Sequence, residues 1–450
     1  MFHEIDNTLN NIVTMLPPSH KHHVICSRLL STRVYIVILA LCVIVCVVCF
    51  NNSDPQQINK QVFNLSKQVS FNNTLNFNHS CPVHAIRTAP LLQSVHAMNI
   101  LVTGGAGYIG AHMTLLLLTD TNVKHNVVII DNLSRGSMQQ IHNLQRHVDP
   151  SRFNFVQGDI GDETLVYNTL IKYNIDTVIH FAGYAYASES VHYPLVYYNN
   201  IVTSTNNMLQ AMSRSNVTRL VFSSSSAVYG SIADEQCDVP LREDSPTAPS
   251  SPYGDSKLMA EHVIHSYAQS QHINNKPFNV AMLRYFNVIG SDKQLRVGPL
   301  PKSKFAQYGR IVDSCFNAAE SGTAMSVYGS DYSTVDGSAV RDYIHVSDLV
   351  DAHYKVIQTL HNNAILTYNV GIGQPFSVQQ IVAACRAATN IYVSIDMKSR
   401  RLGDPPLVLG DPHNLVHHLK WKPQYTDVVE MIETAWQWRL HSKAWSIDTE

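Results

Sequence analysis

Ser225, Tyr253 and Lys257 are the residues of this chain whose types and spacing best suit chemistry. Ser225 lies just past the apolar run LVF, and Tyr253 opens YGDSK after a proline-rich loop from Pro246 to Pro252. A tyrosine and a lysine at i and i+4 share one face of a helix. An ammonium beside a phenol favours the phenolate and lowers its pKa, which makes the tyrosine a usable general base near neutral pH. The lysine can also hold a ribose, and the serine hydroxyl can orient the substrate hydroxyl that loses its proton. By itself a Y-x-x-x-K pair says little, since both residues are common on helix surfaces. It gains weight from the strand-end serine before it and from a dinucleotide-type turn further upstream.

That turn lies in Asn99 to Gly110, NILVTGGAGYIG, where an apolar run stops at Gly104, Gly105, Gly107 and Gly110. The run reads as a buried parallel strand, and a helix is expected to begin near Tyr108 and Ile109. Gly105-x-Gly107-x-x-Gly110 matches the dinucleotide fingerprint: one glycine for the turn, one for close approach of a pyrophosphate, one for helix-on-strand packing. The helix N-terminus then offers unpaired N–H groups to phosphates. A second apolar run, Val127 to Ile130, closes on Asp131 about 20 residues later, where an acid accepts a ribose hydroxyl and repels a 2′-phosphate. NAD is therefore favoured over NADP, with Arg135 nearby as the one opposing feature. Asn132 adjoins that acid. Asp159-Ile160 and Phe181-Ala182 fall at further strand ends on the cofactor side, with Asp159 placed to meet the adenine amino group. A turn acid or helix N-cap is an equally good account of Asp159.

The elements that must position these residues alternate along the chain. VVIID, FNFVQ, TVIH, RLVFS and VAMLRYFNV are compact apolar runs, and helical stretches lie at Met138 to His147 and Asp162 to Tyr173. Such alternation means βαβ units, so the expected fold is α/β, a Rossmann-type doubly wound parallel sheet. Residues 98–286 are assigned to the cofactor-binding domain. Residues 287–450 form a smaller substrate-binding α/β domain interleaved with the end of the sheet. There MSVYG and LTYNVG read as strands, and Val346 to Leu360, Ser377 to Thr389 and Val428 to His441 as helices. Trp436 and Trp438, on the last, are expected in the core.

With 32 basic and 34 acidic residues the net charge is −2, so nucleic acid is not an expected partner. Of 8 cysteines, Cys46 and Cys49 are separated by two residues but sit inside a hydrophobic run, so metal and redox motifs find no support. That run, Val34 to Phe50, is uncharged and apolar on every face, at the short end of what spans a bilayer. Lys21, Arg28 and Arg33 precede it and favour a cytosolic N-terminus. The expectation is a transmembrane signal anchor at 34–50, a cytosolic tail at 1–33 and a lumenal stalk at 51–97. The stalk carries glycosylation-type triplets at Asn51, Asn64, Asn72 and Asn78.

TGGAGYIG, DNLSRG, HFAG, FSSSSAVYG, SPYGDSK, LRYFNVIG, VRDYIHVSDLVDAH and RRLGDP together resemble the extended short-chain dehydrogenase/reductase family, and within it the UDP-sugar 4-epimerases, from about Met98 to about Trp445. The resemblance implies a tightly held NAD, Ser225 and Tyr253 as catalytic pair, and Lys257 as the lysine that positions the cofactor. It also implies that Asn287, Arg341, Arg401 and Asp404 contact the UDP part of the substrate, that Tyr328 binds substrate with them, and that the protein pairs as a homodimer. Two arginines suit a pyrophosphate through bidentate contacts, and an acid suits a ribose diol. The alternatives are an ion pair of Arg341 with Asp342 or Asp348, and a solvated basic loop for Arg400 and Arg401.

The chain departs from the hexose epimerases of the group in two places. Ala185 stands where they commonly carry a lysine that touches the cofactor. YGRIVD, around Gly309 to Ile311, replaces an Asn-Asn-Leu segment that binds UDP. With the anchor, these departures resemble the plant-type UDP-arabinose 4-epimerases of the Golgi, membrane proteins with a lumenal catalytic part. Val408 falls at the position that gates sugar bulk. The expected activity is interconversion of UDP-xylose and UDP-arabinose. The alternatives are UDP-glucose/UDP-galactose epimerisation, a decarboxylase or dehydratase of the same fold, and a non-catalytic NAD-binding protein. A dehydratase needs an acid beside Ser225, where Ser224 and Ser226 stand.

Overall fold

Short apolar runs rich in β-branched residues make the strands of the computed structural model, which describes residues 96–230, 240–300, 310–401 and 404–443. All of these belong to the unit Ile86–Glu450. The strands are β1 (Asn99–Thr103), β2 (Asn126–Asp131), β3 (Phe153–Gln157), β4 (Thr177–His180), β5 (Arg219–Ser223) and β6 (Asn279–Tyr285). They are followed by β7 (Asn287–Ile289), β8 (Met325–Tyr328), β9 (Val340–His345), β10 (Ile365–Val370), β11 (Pro375–Ser377), β12 (Ile395–Lys398) and β13 (Leu407–Val408). Seven pair as one parallel sheet in the order β10-β6-β5-β4-β1-β2-β3. The order runs outward from β1 in both directions, so the chain switches direction between β1 and β4. Ligands of such sheets sit at the carboxyl ends of strands beside that switch.

Alternate residues of β1 enter opposite cores. Ile100 and Val102 face one cluster and Leu101 the other, and all three are fully buried. Helices α1 (Tyr108–Thr119), α2 (Met138–His147) and α3 (Glu163–Lys172) follow the first three strands. After β4 come α4 (Ala187–His192), α5 (Pro194–Tyr198), a π-helical turn at Asn199–Thr203 and α6 (Ser204–Ser215). Then α7 (Pro252–Ile273) runs beneath α6 and the π turn. The later helices are α8 (Ile311–Ser321), α9 (Val346–Ile357), α10 (Val378–Thr389), α11 (His413–Leu419) and α12 (Val428–Ser442). Helices α8, α10 and α12 close a third core against β7 to β9, with Cys315, Cys385 and Trp436 inside it. Trp438 is also buried, and its indole N–H donates to the carbonyl of Pro299 at 2.7 Å. Both tryptophans are thus core residues, as expected.

One apolar run was expected as a single strand and is two. VAMLRYFNV breaks at Phe286, because β6 pairs in the large sheet while β7 turns away to pair with β9. The break inserts Phe286 into a small cluster with Val228, Tyr229 and Leu241. The segments expected as tail, membrane span and stalk lie, up to residue 95, outside the described residues. Among the described residues no helix is long and apolar enough to cross a membrane.

Candidate active site

A cleft of about 950 Å³ opens at the carboxyl ends of the central strands. Its floor is the turn from β1 into α1. Gly104 has φ +70, and a Cβ at Gly110 would lie 2.3 Å from the carbonyl oxygen of Gly104. Only glycine lets the helix approach the turn so closely. Gly105 packs its bare Cα on the side chain of Ile129, behind the cleft wall. At Gly107 an added Cβ would meet only the Gly104 carbonyl oxygen, at 3.2 Å, so this position faces open space. Gly104, Gly107, Tyr108, Ile109 and Gly110 all line the cleft, and the N–H groups of the first turn of α1 point where an anion can sit. This cradle, with a carboxylate at the end of β2, fits a dinucleotide.

Asp131, Asn132, Asp159, Ile160, Phe181 and Ala182 line the same end. The Asp131 carboxylate accepts the N–H of Ala106 at 3.0 Å and of Leu133 at 2.8 Å, while burial pushes its pKa up. Asp159 accepts from Gly161 N–H and from the Asn132 side chain, both at 2.7 Å. It is a turn acid that still faces the cleft; the N-cap of α3 is Asp162. Arg135, which opposed the NAD assignment, is committed elsewhere. Its Nη2 meets both oxygens of Glu189 at 2.8 and 2.9 Å, and its guanidinium stacks 4.2 Å over the Tyr184 ring. Glu189 also accepts from the hydroxyl of Tyr197 at 2.6 Å.

The reacting end is built by β5 and α7. Ser251 caps α7, its hydroxyl accepting the N–H of Gly254 at 3.2 Å, and Pro252 opens the helix, so Tyr253 is fixed in the first turn. Tyr253 and Ser225 both line the cleft, each 8% exposed. Their side chains are hydrogen-bonded, which pulls the tyrosine pKa down against a larger rise from burial. Lys257 lies one turn further along α7. The ammonium turns to the carbonyl of Ser223, at 2.8 Å, and lies behind the cleft wall beside Gly183. Burial pushes the lysine pKa down to about 8, with Glu261 opposing.

Beneath the serine lies a polar network that spacing did not reveal. Glu261 pairs with Arg284 at 2.6 Å and accepts the hydroxyl of Ser224. Arg284 reaches the hydroxyl of Tyr229 at 3.2 Å, and that hydroxyl donates to Asn369 at 2.7 Å. The only sequence sign was Glu261 standing one turn after Lys257.

At the other end of the cleft Asn287, Arg341, Arg401, Asp404 and Val408 converge from β7, β9, β13 and the loop before β13. Arg341 pairs with Asp404, not with Asp342 or Asp348, whose carboxylates accept backbone N–H groups instead. Asp404 is thereby held by an arginine and not presented alone to a diol. Asn287 is hydrogen-bonded to the hydroxyl of Tyr343. Tyr328 is not part of the wall; its ring carries the guanidinium of Arg401 at 3.9 Å. Both arginines of the basic pair are exposed, and Arg400 is bonded to the exposed Asp331. Cations at this end and a helix N-terminus at the other suit two diphosphates sharing one cleft. The Ser225–Tyr253 pair lies in the same wall and can take up a proton.

Residues 101–434 match the family model described as GDP-mannose 4,6 dehydratase. UDP-arabinose 4-epimerase 1 of Arabidopsis thaliana is 41% identical over 354 residues, covering 78% of this chain and 82% of that protein. UDP-glucose 4-epimerase of Lactobacillus helveticus is 36% identical, covering 77% of this chain and 99% of that protein. Among solved structures, UDP-glucose 4-epimerase of Stenotrophomonas maltophila, with bound NAD and formylated UDP-arabinopyranose, superposes with a TM-score of 0.69. It is 33% identical, covering 77% of this chain and 99% of that one. The Brucella ovis UDP-glucose 4-epimerase in complex with NAD gives a TM-score of 0.65 at 35% identity, covering 76% and 99%.

Proposed function

This chain belongs to the UDP-sugar 4-epimerases of the extended short-chain dehydrogenase/reductase family, and on that premise we propose that it interconverts UDP-xylose and UDP-arabinose through a 4-keto sugar, with NAD as its cofactor. The observation that carries the pentose is the identity of 41% to a UDP-arabinose 4-epimerase, against 36% and 34% to UDP-glucose 4-epimerases. Arg341 and Arg401 grip the diphosphate of UDP, with Asn287 and Asp404 beside them, while the sugar lies between Val408 and Tyr253 and is held less firmly than the diphosphate. That looseness lets the keto sugar turn. Tyr253 takes the proton of the sugar 4-hydroxyl and returns it, and Ser225 orients that hydroxyl while donating to the tyrosine oxygen. NAD, when bound, supplies the hydride chemistry at C4. The glycine turn, Asp131 and Asp159 hold it, and Lys257 steadies the wall by bonding the carbonyl of Ser223. The cycle returns every hydride it takes, so the cofactor need not leave.

The same reading assigns residues 98–286 to NAD and 287–450 to the UDP-sugar. It takes the uncharged run Val34 to Phe50 as a type II anchor that holds the catalytic part in the Golgi lumen. A homodimer is supported by an apolar patch on α4, α5 and α7, where Val191, Leu195 and Met259 are 60%, 79% and 44% exposed. The test is to incubate the purified protein separately with UDP-xylose and UDP-galactose, with no NAD added, and to separate the products. UDP-arabinose formed much faster than UDP-glucose is the expected result. The reverse order rejects the pentose, and no turnover of either rejects the epimerase.

A further inference from the structure

Asn216-Val217-Thr218 is a glycosylation-type triplet inside the folded part of the chain, at the turn from α6 into β5. Asn216 caps the C-terminus of α6 in the left-handed region, at φ 58 and ψ 28, and its backbone N–H donates to the carbonyl of Met212. The residue is exposed, and among the described residues its side-chain amide makes no hydrogen bond. The backbone that follows is fixed. Val217 is 3% exposed and donates its N–H to the same Met212 carbonyl at 3.0 Å, and the carbonyl of Thr218 accepts the N–H of Asn279 at 2.8 Å. From Arg219 onward β5 runs toward the cleft, so Asn216 lies at the amino ends of the strands, on the side away from it.

A helix cap is the plain alternative, since asparagine tolerates the left-handed region better than most residues. Among the described residues Asn174, Asn216, Asn275, Asn362, Asn363 and Asn390 all have positive φ, and only Asn216 is followed two positions later by serine or threonine. A cap needs no threonine at 218. The other triplet of the folded part, Asn132-Leu133-Ser134, is a contrast. Its Asn132 amide donates to Asp159 at 2.7 Å and its side-chain oxygen accepts the N–H of Ser134 at 3.0 Å, on the cofactor wall of the cleft. A glycan there would break the first bond and fill the cofactor's space, whereas at Asn216 it displaces no side-chain contact and leaves the cleft open. We propose that Asn216 is N-glycosylated, its carbohydrate standing at the base of the sheet, while Asn132 stays unmodified. In that transfer the amide nitrogen loses a proton and bonds C1 of the first sugar of a lipid-diphosphate-linked oligosaccharide. The bond from C1 to oxygen breaks, and its electron pair leaves with the lipid diphosphate. An exposed turn carries such a bulky, soluble group without repacking. The modification requires a lumenal catalytic part, and so rests on that reading.

The test expresses the full chain, tagged at its C-terminus, in cells with a secretory pathway, beside Asn216→Gln, Thr218→Ala and Thr218→Ser. A peptide N-glycosidase in heavy-oxygen water converts each glycosylated asparagine to a labelled aspartate, which peptide mass spectrometry locates. Protease digestion of intact microsomes reports separately which side of the membrane holds the tag. The expected result is a protected tag, with label at Asn216 and none at Asn132. One glycan is lost in Asn216→Gln and in Thr218→Ala, and it is retained in Thr218→Ser. Thr218→Ala keeps the asparagine cap, so it decides the comparison if Asn216→Gln does not fold. A protected tag with Asn216 unlabelled overturns the proposal, and so does label at Asn132. A digested tag overturns the lumenal placement and the glycan with it, a result distinct from the other two.

Discussion

Two alanine substitutions three residues apart in the phosphate turn should behave very differently. At Gly110 a Cβ would sit 2.3 Å from the carbonyl oxygen of Gly104 and 2.8 Å from the Cα of Gly105, both backbone atoms. Ordinary contact begins at 3.4 Å, so α1 and the turn must separate by roughly 1 Å. That separation strains the bonds the turn makes with itself, from Gly107 N–H to Gly104 carbonyl and from Ala111 N–H to Gly107 carbonyl, both 3.1 Å. Overpacking of this kind costs about 1–3 kcal/mol, and backbone on both sides puts Gly110→Ala near the upper end. At Gly107 the same methyl meets only one atom, at 3.2 Å, and otherwise projects into the cleft. Gly107→Ala should therefore cost less than about 1 kcal/mol of stability yet exclude the dinucleotide. Bound NAD stabilises by mass action, so urea unfolding is followed in protein stripped of it, and NAD uptake is measured separately. Both variants lose NAD, and Gly110→Ala alone loses substantial stability. Equal stability losses, or full NAD in Gly110→Ala, would refute the steric argument.

Two other expectations concern the buried polar groups. Glu261→Gln leaves the Arg284 guanidinium, 9% exposed, without its counter-charge and should cost about 3–5 kcal/mol in urea unfolding. The double variant Glu261→Leu/Arg284→Met should recover more than half of this, and a double variant weaker than the single one would contradict the account. Burial lowers His112 and His353 to about 4, and His180 and His345 to about 3. Their depressed values mean stability is fully present above the ordinary histidine pKa near 6.5 and is lost as pH falls toward 4 and 3. Each contributes a slope of about 1.4 kcal/mol per pH unit in that window, so unfolding midpoints flat from pH 6.5 to 4 would exclude it.

The large sheet and the dinucleotide turn were legible because their signals are local. A strand that must be apolar on both faces, a glycine turn and an acid at the next strand end lie in one stretch of chain. Ser225 and Tyr253 were legible for the same reason, each marked by its own strand end or helix start. Lys257 shows what spacing leaves open: i and i+4 put it on the face of Tyr253, while the bond of its ammonium to the Ser223 carbonyl at the end of β5 follows from no spacing. The Glu261–Arg284 pair, the Arg135–Glu189 clasp and Arg310 over Tyr108 join residues 23, 54 and 202 positions apart, and no periodicity announces such contacts. The helices between Ala187 and Ser215 were missed because a π-helical turn at Asn199–Thr203 shifts the phase of their apolar positions.

The central claim is that hydrogen leaves C4 of the sugar and returns to the same carbon within the cleft. It is tested most directly with UDP-xylose deuterated at C4, converted in ordinary water by protein purified with its own cofactor, and followed by mass and NMR analysis of the UDP-arabinose formed. The account predicts that the deuterium stays at C4 of the product. Product carrying solvent hydrogen at C4 would contradict it.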